Sequence, residues 1–151
     1  MAGTLGGVAL TAFFSSRQAG VAEKAWHDVH EREPQETPDL PIASTFAALE
    51  AMYWAAVDLL EAVRTGIGIE AARSRDVEAR RQYDAAETHL RIRLGDEHVV
   101  YARVLALLDV NEGLHHAARD GDDQAFYGLE VLRELAVGEL VAAADSEKRK
   151  H

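Results

Sequence analysis

Residues 96–119 form the longest strongly apolar segment of the chain that has the periodicity of an α-helix. Apolar residues recur there at spacings of four, three, seven and four, which places them on one helical face. They are Val100, Val104, Leu107, Leu114 and Ala118, and the face is widened by Tyr101, Leu105, Leu108 and Val110. Because so broad an apolar arc needs neighbours on two or three sides, the segment predicts a helix packed inside a bundle.

The remainder of the chain favours helices as well. All three prolines lie between Pro34 and Pro41, alanine is abundant, and runs of β-branched residues are absent. These features favour helix over strand, and glycines supply the stop signals between helices. The sequence therefore predicts an all-α protein with an antiparallel bundle of four helices, at about 42–65, 69–94, 96–119 and 123–147, preceded by a long N-terminal helix.

Three regions follow from this pattern: an N-terminal helix over 1–31, a proline-rich acidic linker over 32–41, and the bundle over 42–151. Ser44 or Thr45, then Asp96, then Asp122 or Asp123 are the expected N-caps. Helical periodicity predicts the inward residues of the first bundle helix, with Glu50 on its polar side: Phe46, Leu49, Tyr53, Val57, Leu60 and Val63. For the last helix it predicts Phe126, Leu129, Leu132, Ala136, Leu140 and Ala143.

The N-terminal segment is the strongest candidate for association. Residues 2–16 are apolar or small on every side, lack a preceding basic region, and are too short for a full membrane span. A seam of small residues then continues to Trp26 with heptad spacing. We expect this helix to bury its apolar surface in a homo-oligomer or against a protein partner, and a truncated membrane span is the alternative. The association residues would be Leu5, Val8, Phe13, Phe14 and Trp26.

Charge and cysteine content exclude several classes of function. The net charge of −10 disfavours nucleic acid and anionic membranes as partners. The chain has no cysteine, so disulfides, thiolate catalysis and cysteine-ligated metals are excluded. This composition suits a cytoplasmic protein, with membrane association through residues 2–16 as the open alternative. The arginines of 69–94 alternate with acidic residues, which is typical of a solvated face with exposed ion pairs.

Motifs of enzymes and cofactor sites are missing from the sequence, which contains no nucleophile elbow, dinucleotide-binding loop or Walker loop. Glu112 and His115 form one Glu-x-x-His motif, whereas dinuclear sites in helical bundles need two such motifs and further glutamates. His27, His30 and Glu31 are the other candidate metal ligands. Because this ligand set is incomplete, we expect no cofactor, and an enzyme is the less favoured class.

Asn111 lies in the middle of the apolar arc, with His115 one turn later and Arg103 towards its other edge. A buried amide can fix the register of a bundle by a hydrogen bond between helices. Alternatively, Arg103, Asn111 and His115 would form a polar pocket for a small anion or a peptide. The sequence therefore favours a non-enzymatic helical interaction or scaffold protein that self-associates or docks a partner near a membrane or in the cytoplasm. A metal- or small-ligand-binding helical bundle is the alternative.

Overall fold

The computed structural model describes residues 39–150, which form four α-helices joined by short turns. They are α1 (Asp39–Thr65), α2 (Ile69–Leu94), α3 (Val99–Asp120) and α4 (Asp123–Lys150). The all-α prediction is confirmed for this part of the chain, which contains no strand. The predicted N-terminal helix lies outside the described residues, as do its association candidates Leu5, Val8, Phe13, Phe14 and Trp26.

The first bundle helix begins at Asp39, three residues before the predicted boundary at 42, so 39–41 belong to the helix and not to the linker. Pro41 fits there because the first-turn N–H groups have no partner within the helix. Thr45, an expected N-cap, lies inside α1, as does Ser44. The hydroxyl of Thr45 donates to the Pro41 carbonyl oxygen at 2.7 Å, which satisfies this buried group within the helix.

The third helix begins at Val99, and its N-cap is His98 instead of the predicted Asp96. The imidazole Nδ1 of His98 accepts a hydrogen bond from the Val100 N–H at 3.1 Å, which satisfies one of the free donors of the first turn. A ring nitrogen therefore performs the role that the sequence pattern assigned to a carboxylate.

Gly121 ends α3 in the left-handed conformation, with φ of 69°. A side chain at this position would be strained, and its Cβ would also lie 3.2 Å from Val63 Cγ1. The next residue, Asp122, accepts a hydrogen bond from the Ala125 N–H at 3.0 Å. Asp122 therefore caps α4, as the sequence predicted, and the turn from α3 to α4 is tight.

The helices pack in the order α2, α1, α3, α4. Contacts are extensive between α1 and α2, α1 and α3, and α3 and α4, but sparse between α2 and α3 and between α1 and α4. Helices that follow one another in sequence run antiparallel, whereas α1 and α3 run parallel, with Leu49 near Asn111 and Val63 near Gly121. Long polar side chains therefore bridge the two open sides of the assembly, between α2 and α3 and between α1 and α4.

The predicted face of α3 is correct, because Val100, Val104, Leu107, Leu114 and Ala118 are all buried. Leu105 is exposed, so the buried arc is narrower than the apolar arc. The core has two clusters along the helices, one around Leu107 and one around Leu114. Asn111 lies between these two leucines in sequence and is itself buried.

The predicted inward face of α4 is correct at Phe126 and Leu140 but wrong at Leu132, whose exposed fraction is 51%. The inward stripe from Phe126 to Leu140 instead passes through Glu130 and Arg133, with the three-and-four spacing of a heptad. Charged side chains therefore occupy inward positions of α4, while several apolar neighbours face outward.

Residues 40–65, which make up nearly all of α1, are long and apolar enough to cross a membrane by length and composition. The same helix packs against both α2 and α3, and 44% of its most apolar window is buried within the fold. A helix that packs against neighbours on several sides must be apolar on those sides, so packing within the bundle also explains this composition.

Candidate functional site

A groove of about 560 Å³ opens between α2 and α3. These two helices make few contacts with each other, so space remains between their backbones. Met52 of α1 lines it together with Asn111 of α3. Polar side chains make up most of its other lining, namely Asp76, Arg80, Arg81, Asp84, Glu112, His115 and His116. We call this feature the α2–α3 groove.

The charged residues of the groove pair mainly with one another. His115 Nδ1 lies 2.7 Å from a carboxylate oxygen of Asp76, so this pair bridges α2 and α3. Arg80 bridges the same helices through Glu112 and also contacts Asp84 at 3.2 Å on its own helix. These pairs hold the walls of the groove together and leave few charges in it for a charged ligand.

Asn111 differs from the other groove residues because it is 1% exposed. Its Nδ2 donates a hydrogen bond to the Leu49 carbonyl oxygen of α1 at 3.0 Å. This donation fixes the orientation of the amide, because a carbonyl oxygen cannot accept from Oδ1. Oδ1 is buried and has no hydrogen-bond partner in the described part of the chain. Asn111 therefore links α3 to α1, as the register hypothesis requires, and retains one free acceptor.

The predicted ligand-binding residues are only partly brought together. Asn111 and His115 both line the groove, as does Glu112 of the metal hypothesis. Arg103 lies elsewhere, on the α4 side of α3, where it pairs with Glu139 at 2.9 Å. The predicted Arg103–Asn111–His115 pocket is therefore wrong in one member, because Arg103 and Asn111 lie on different faces of α3.

The sequence names Glu112 and His115 as candidate metal ligands. Within residues 39–150, no group of three or more histidine or acidic side chains is arranged to hold a metal ion. Glu112 is engaged by Arg80 and His115 by Asp76. The remaining candidates His27, His30 and Glu31 lie outside the described residues.

A second polar cluster connects α1 to α4 on the other open side of the fold. Arg133 pairs with Glu50, and both side chains are close to fully buried. The Arg133 guanidinium also lies over the Tyr53 ring, 3.8 Å from its centroid, which is a cation–π contact. The Tyr53 hydroxyl donates to a carboxylate oxygen of Glu130. We call these four residues the Arg133 cluster.

Burial is the largest cause of the pKa shifts of Glu50 and Tyr53 in this cluster. It raises the pKa of Glu50 above the ordinary value of 4.5, and the neighbouring Arg133 opposes part of that rise. Burial and the hydrogen bond to Glu130 raise the pKa of the Tyr53 phenol, so Tyr53 remains a hydrogen-bond donor. The cluster is thus a structural connection between helices, in which each polar group depends on its partner.

The solvent side of α4 carries an apolar stripe over four turns, with the exposed Glu134 and Glu139 beside it. Tyr127, Val131, Leu135, Gly138 and Ala142 follow one another at spacings of four, four, three and four, which keeps them on one face. Val131 is 61% exposed and Leu135 is 62% exposed. We call these five residues the α4 outer face, and the exposed Leu132 and Val141 flank it.

The two ends of α4 carry opposite charges. Asp120, Asp122 and Asp123 cluster at its start, and the last three described residues are Lys148, Arg149 and Lys150. Opposite charges at these ends suit the helix dipole, since acids favour the N-terminus and bases the C-terminus. They also give the outer face a direction, acidic at one end and basic at the other.

The helical periodicity of the sequence did not predict the Arg133 cluster or the outer face. It assigned Glu50 to the polar side of its helix, whereas Glu50 is buried against Arg133. The signal was the heptad spacing of Glu130 and Arg133 with Phe126 and Leu140, which predicts that both charged residues face inward.

Comparisons of the chain with protein-family models, with curated proteins and with solved structures found no match.

Proposed function

We propose that this protein is a non-enzymatic helical module that self-associates through the α4 outer face. The observation that carries this proposal is the arrangement of α4, which turns Glu130 and Arg133 inward and exposes Val131 and Leu135. A surface helix of a monomer ordinarily does the reverse, burying its apolar residues and exposing its charged ones.

The five residues of the outer face follow one line along α4, with the exposed Glu134 beside Val131 and Gly138. From Tyr127 to Ala142 it extends about 22 Å along the helix. Contiguous exposed apolar surface of this kind marks interaction sites in folded proteins. Full burial of a valine or leucine side chain contributes roughly 1.5–3 kcal/mol, so covering the face stabilises an assembly substantially.

The chemistry of the described residues supports the non-enzymatic assignment. In the α2–α3 groove, Asp76 pairs with His115, and Arg80 pairs with Glu112 and Asp84. Candidate acid–base groups are therefore engaged in holding helices together. The polar clusters account for the geometry of the fold, whereas the outer face is a feature that packing within residues 39–150 does not use.

Sedimentation velocity of the full chain tests the proposal. Leu135→Glu places a charge in the centre of the outer face of each copy. We expect the dissociation constant to rise at least about a hundredfold, because each copy loses roughly 1.5–3 kcal/mol of apolar burial. Ile92→Glu is the matched control, since Ile92 is 74% exposed but lies on α2.

Association that weakens in Leu135→Glu but not in Ile92→Glu would support the proposal. Equal behaviour of the two variants would reject the outer face as the association surface. A monomeric wild-type chain that loses thermal stability only in Leu135→Glu would instead show that residues 1–38 of the same chain cover α4.

A second candidate function rests on the unpartnered Oδ1 of Asn111. A small neutral ligand in the α2–α3 groove could donate a hydrogen bond to this buried acceptor and be surrounded by Met52 and the paired charges. Native mass spectrometry of the purified full chain is the test. A bound small molecule that is missing from Asn111→Leu would support ligand binding, and a bare chain in both samples would contradict it.

A further inference from the structure

We infer that the partner on the α4 outer face is a second copy of this chain, packed so that the two α4 helices run antiparallel about a two-fold axis near Leu135. This inference rests on the proposed self-association and specifies its geometry. It is carried by two independent features of α4, the distribution of large and small residues along the outer face and the opposite charges at its ends.

The first feature is the order of side-chain sizes along the outer face. The large residues Tyr127 and Val131 lie in its first half, and the small residues Gly138 and Ala142 lie in its second half. In an antiparallel pair centred near Leu135, Tyr127 of one copy lies opposite Ala142 of the other, and Val131 lies opposite Gly138. A Cβ added at Gly138 would meet no atom of its own fold within 4 Å, so the space above it is open to a partner.

A two-fold axis suits this surface because one patch then serves both copies. Homodimers with two-fold symmetry use the same residues on each side of the interface. A parallel pair would instead place Tyr127 against Tyr127 and Gly138 against Gly138. Such a pair would crowd one end of the interface and leave a gap at the other, which close packing disfavours.

The second feature is electrostatic. In the antiparallel pair, the basic end of one α4, at 148–150, lies beside the acidic start of the other, at 120–123. Within each copy Lys150 also pairs with Glu147 and Asp123 with Arg64, so the attraction between copies comes mainly from Lys148, Arg149 and Asp120. Both interface ends then bring opposite charges together. A parallel pair would place like charges side by side at each end, and this costs free energy within a chain that already carries a net charge of −10.

The antiparallel arrangement determines where the remaining segments meet the dimer. Within one copy, Glu50 of α1 lies beside Arg133 and Arg64 lies near Asp123, so α1 begins on the side of the C-terminal half of α4. The two copies of α1 therefore begin at opposite ends of the dimer.

Disulfide cross-linking of full-length single-cysteine variants tests the geometry, since the chain has no cysteine of its own. The variants are Leu135→Cys, Tyr127→Cys and Ala142→Cys, with Ile92→Cys on α2 as the control. Thiols cross-link only when their Cα atoms come within about 7 Å. We expect Leu135→Cys to cross-link with itself, and Tyr127→Cys to cross-link with Ala142→Cys in an equimolar mixture.

Each other outcome contradicts a defined part of the account. Self-cross-linking of Tyr127→Cys without a mixed product would overturn the antiparallel geometry and leave self-association standing. A dimer that forms no cross-link in any α4 variant would show that α4 is not the interface. A chain that remains monomeric by sedimentation would reject the proposed function itself.

Salt and charge reversal provide a second readout of the same inference. Reversing the basic end with Lys148→Glu, Arg149→Glu and Lys150→Glu together should weaken self-association by about tenfold or more at low ionic strength. Mixing this variant with one that carries Asp120→Lys, which leaves the Asp123–Arg64 pair of each copy intact, should restore association. Failure of the mixture to exceed both separate variants would contradict the pairing of opposite ends.

Discussion

At the scale of single residues, the fold depends on polar groups that are buried and paired. Asn111 donates to the Leu49 carbonyl oxygen, and Arg133 pairs with Glu50 and lies over Tyr53. A buried ion pair adds little net stability, because desolvation offsets its attraction, whereas removing one partner is strongly destabilising. The two connections join α1 to α3 and α1 to α4, which makes α1 the helix on which both depend.

Glu50→Ala tests the Arg133 cluster. The substitution leaves the Arg133 guanidinium buried without its carboxylate, and we expect the free energy of unfolding to fall by about 3–5 kcal/mol. Glu70→Ala is the control, because the Glu70 side chain, which pairs with Arg73, is 88% exposed. Loss of this exposed pair should lower the free energy of unfolding by less than about 1 kcal/mol. Urea unfolding measures both, and equal costs would mean that the cluster does not stabilise the fold.

The raised pKa of Glu50 gives the same cluster a defined pH dependence. Between 4.5 and the higher folded-state pKa, folded Glu50 holds its proton while unfolded Glu50 has released it. The contribution of Glu50 to the free energy of unfolding therefore falls as the pH rises from 4.5 through the folded-state pKa. We expect wild type to lose stability relative to Glu50→Gln over that window, measured by urea unfolding at several pH values. If the stability of wild type rose relative to that of Glu50→Gln over this pH range, the attraction of Arg133 would outweigh the effect of burial on the pKa of Glu50.

Asn111 offers an isosteric comparison. Asn111→Asp replaces the donating amide with a carboxylate facing the Leu49 carbonyl oxygen, and should cost about 1–3 kcal/mol or more. Asn111→Leu removes the donor and the unpartnered Oδ1 together, so its effect on unfolding should be much smaller. Thermal unfolding of both variants checks this order, and a larger loss for leucine than for aspartate would mean that the hydrogen bond is not what positions α3 on α1.

At the scale of helices, the sequence predicted much of the fold because apolar periodicity reports burial wherever the core is apolar. The predicted buried face of α3 is correct for that reason. The boundaries of α2 at 69–94, which the glycine stop signals predict, are correct as well. Periodicity failed on α4, where Glu130 and Arg133 take inward positions and Leu132 faces solvent. Local pattern cannot reveal that a distant residue, Glu50, satisfies an inward arginine.

The candidate site was less predictable than the fold. Asn111, Glu112 and His115 were brought to one groove because their spacing places them on adjoining parts of one helix. Arg103 is separated from them because its spacing places it on the α4 side of α3, where it pairs with Glu139. The apolar residues alone did not predict the outer face, since an apolar stripe has the same pattern whether it faces a core or solvent. The spacing of Glu130 and Arg133 with Phe126 and Leu140 was the signal for it.

The buried arc of α3 is tested by two neighbouring leucines. Leu107 is fully buried, and Leu107→Ala should cost about 2–5 kcal/mol of unfolding free energy because it leaves a cavity. Leu105→Ala, at a position 39% exposed, should cost far less, near the usual limit of about 0.5 kcal/mol for surface positions. Similar costs at the two positions would place the core on a different face of α3.

At the scale of the whole molecule, the chain separates its two apolar surfaces. One is enclosed by the four helices, and the other is the α4 outer face, which the described residues leave uncovered. The sequence also predicted association through Leu5, Val8, Phe13, Phe14 and Trp26, and that prediction stands untested beside the one made from α4. The central claim common to both is that the chain does not exist as an isolated monomer.

The molar mass of the full chain in solution, measured by light scattering across a wide range of concentration, tests that claim most directly. One chain has a mass of 16.5 kDa. The account predicts that the weight-average mass rises with concentration towards twice 16.5 kDa, which is 33 kDa. A mass that stays at 16.5 kDa at every concentration, in wild type and in Leu135→Glu alike, would contradict it.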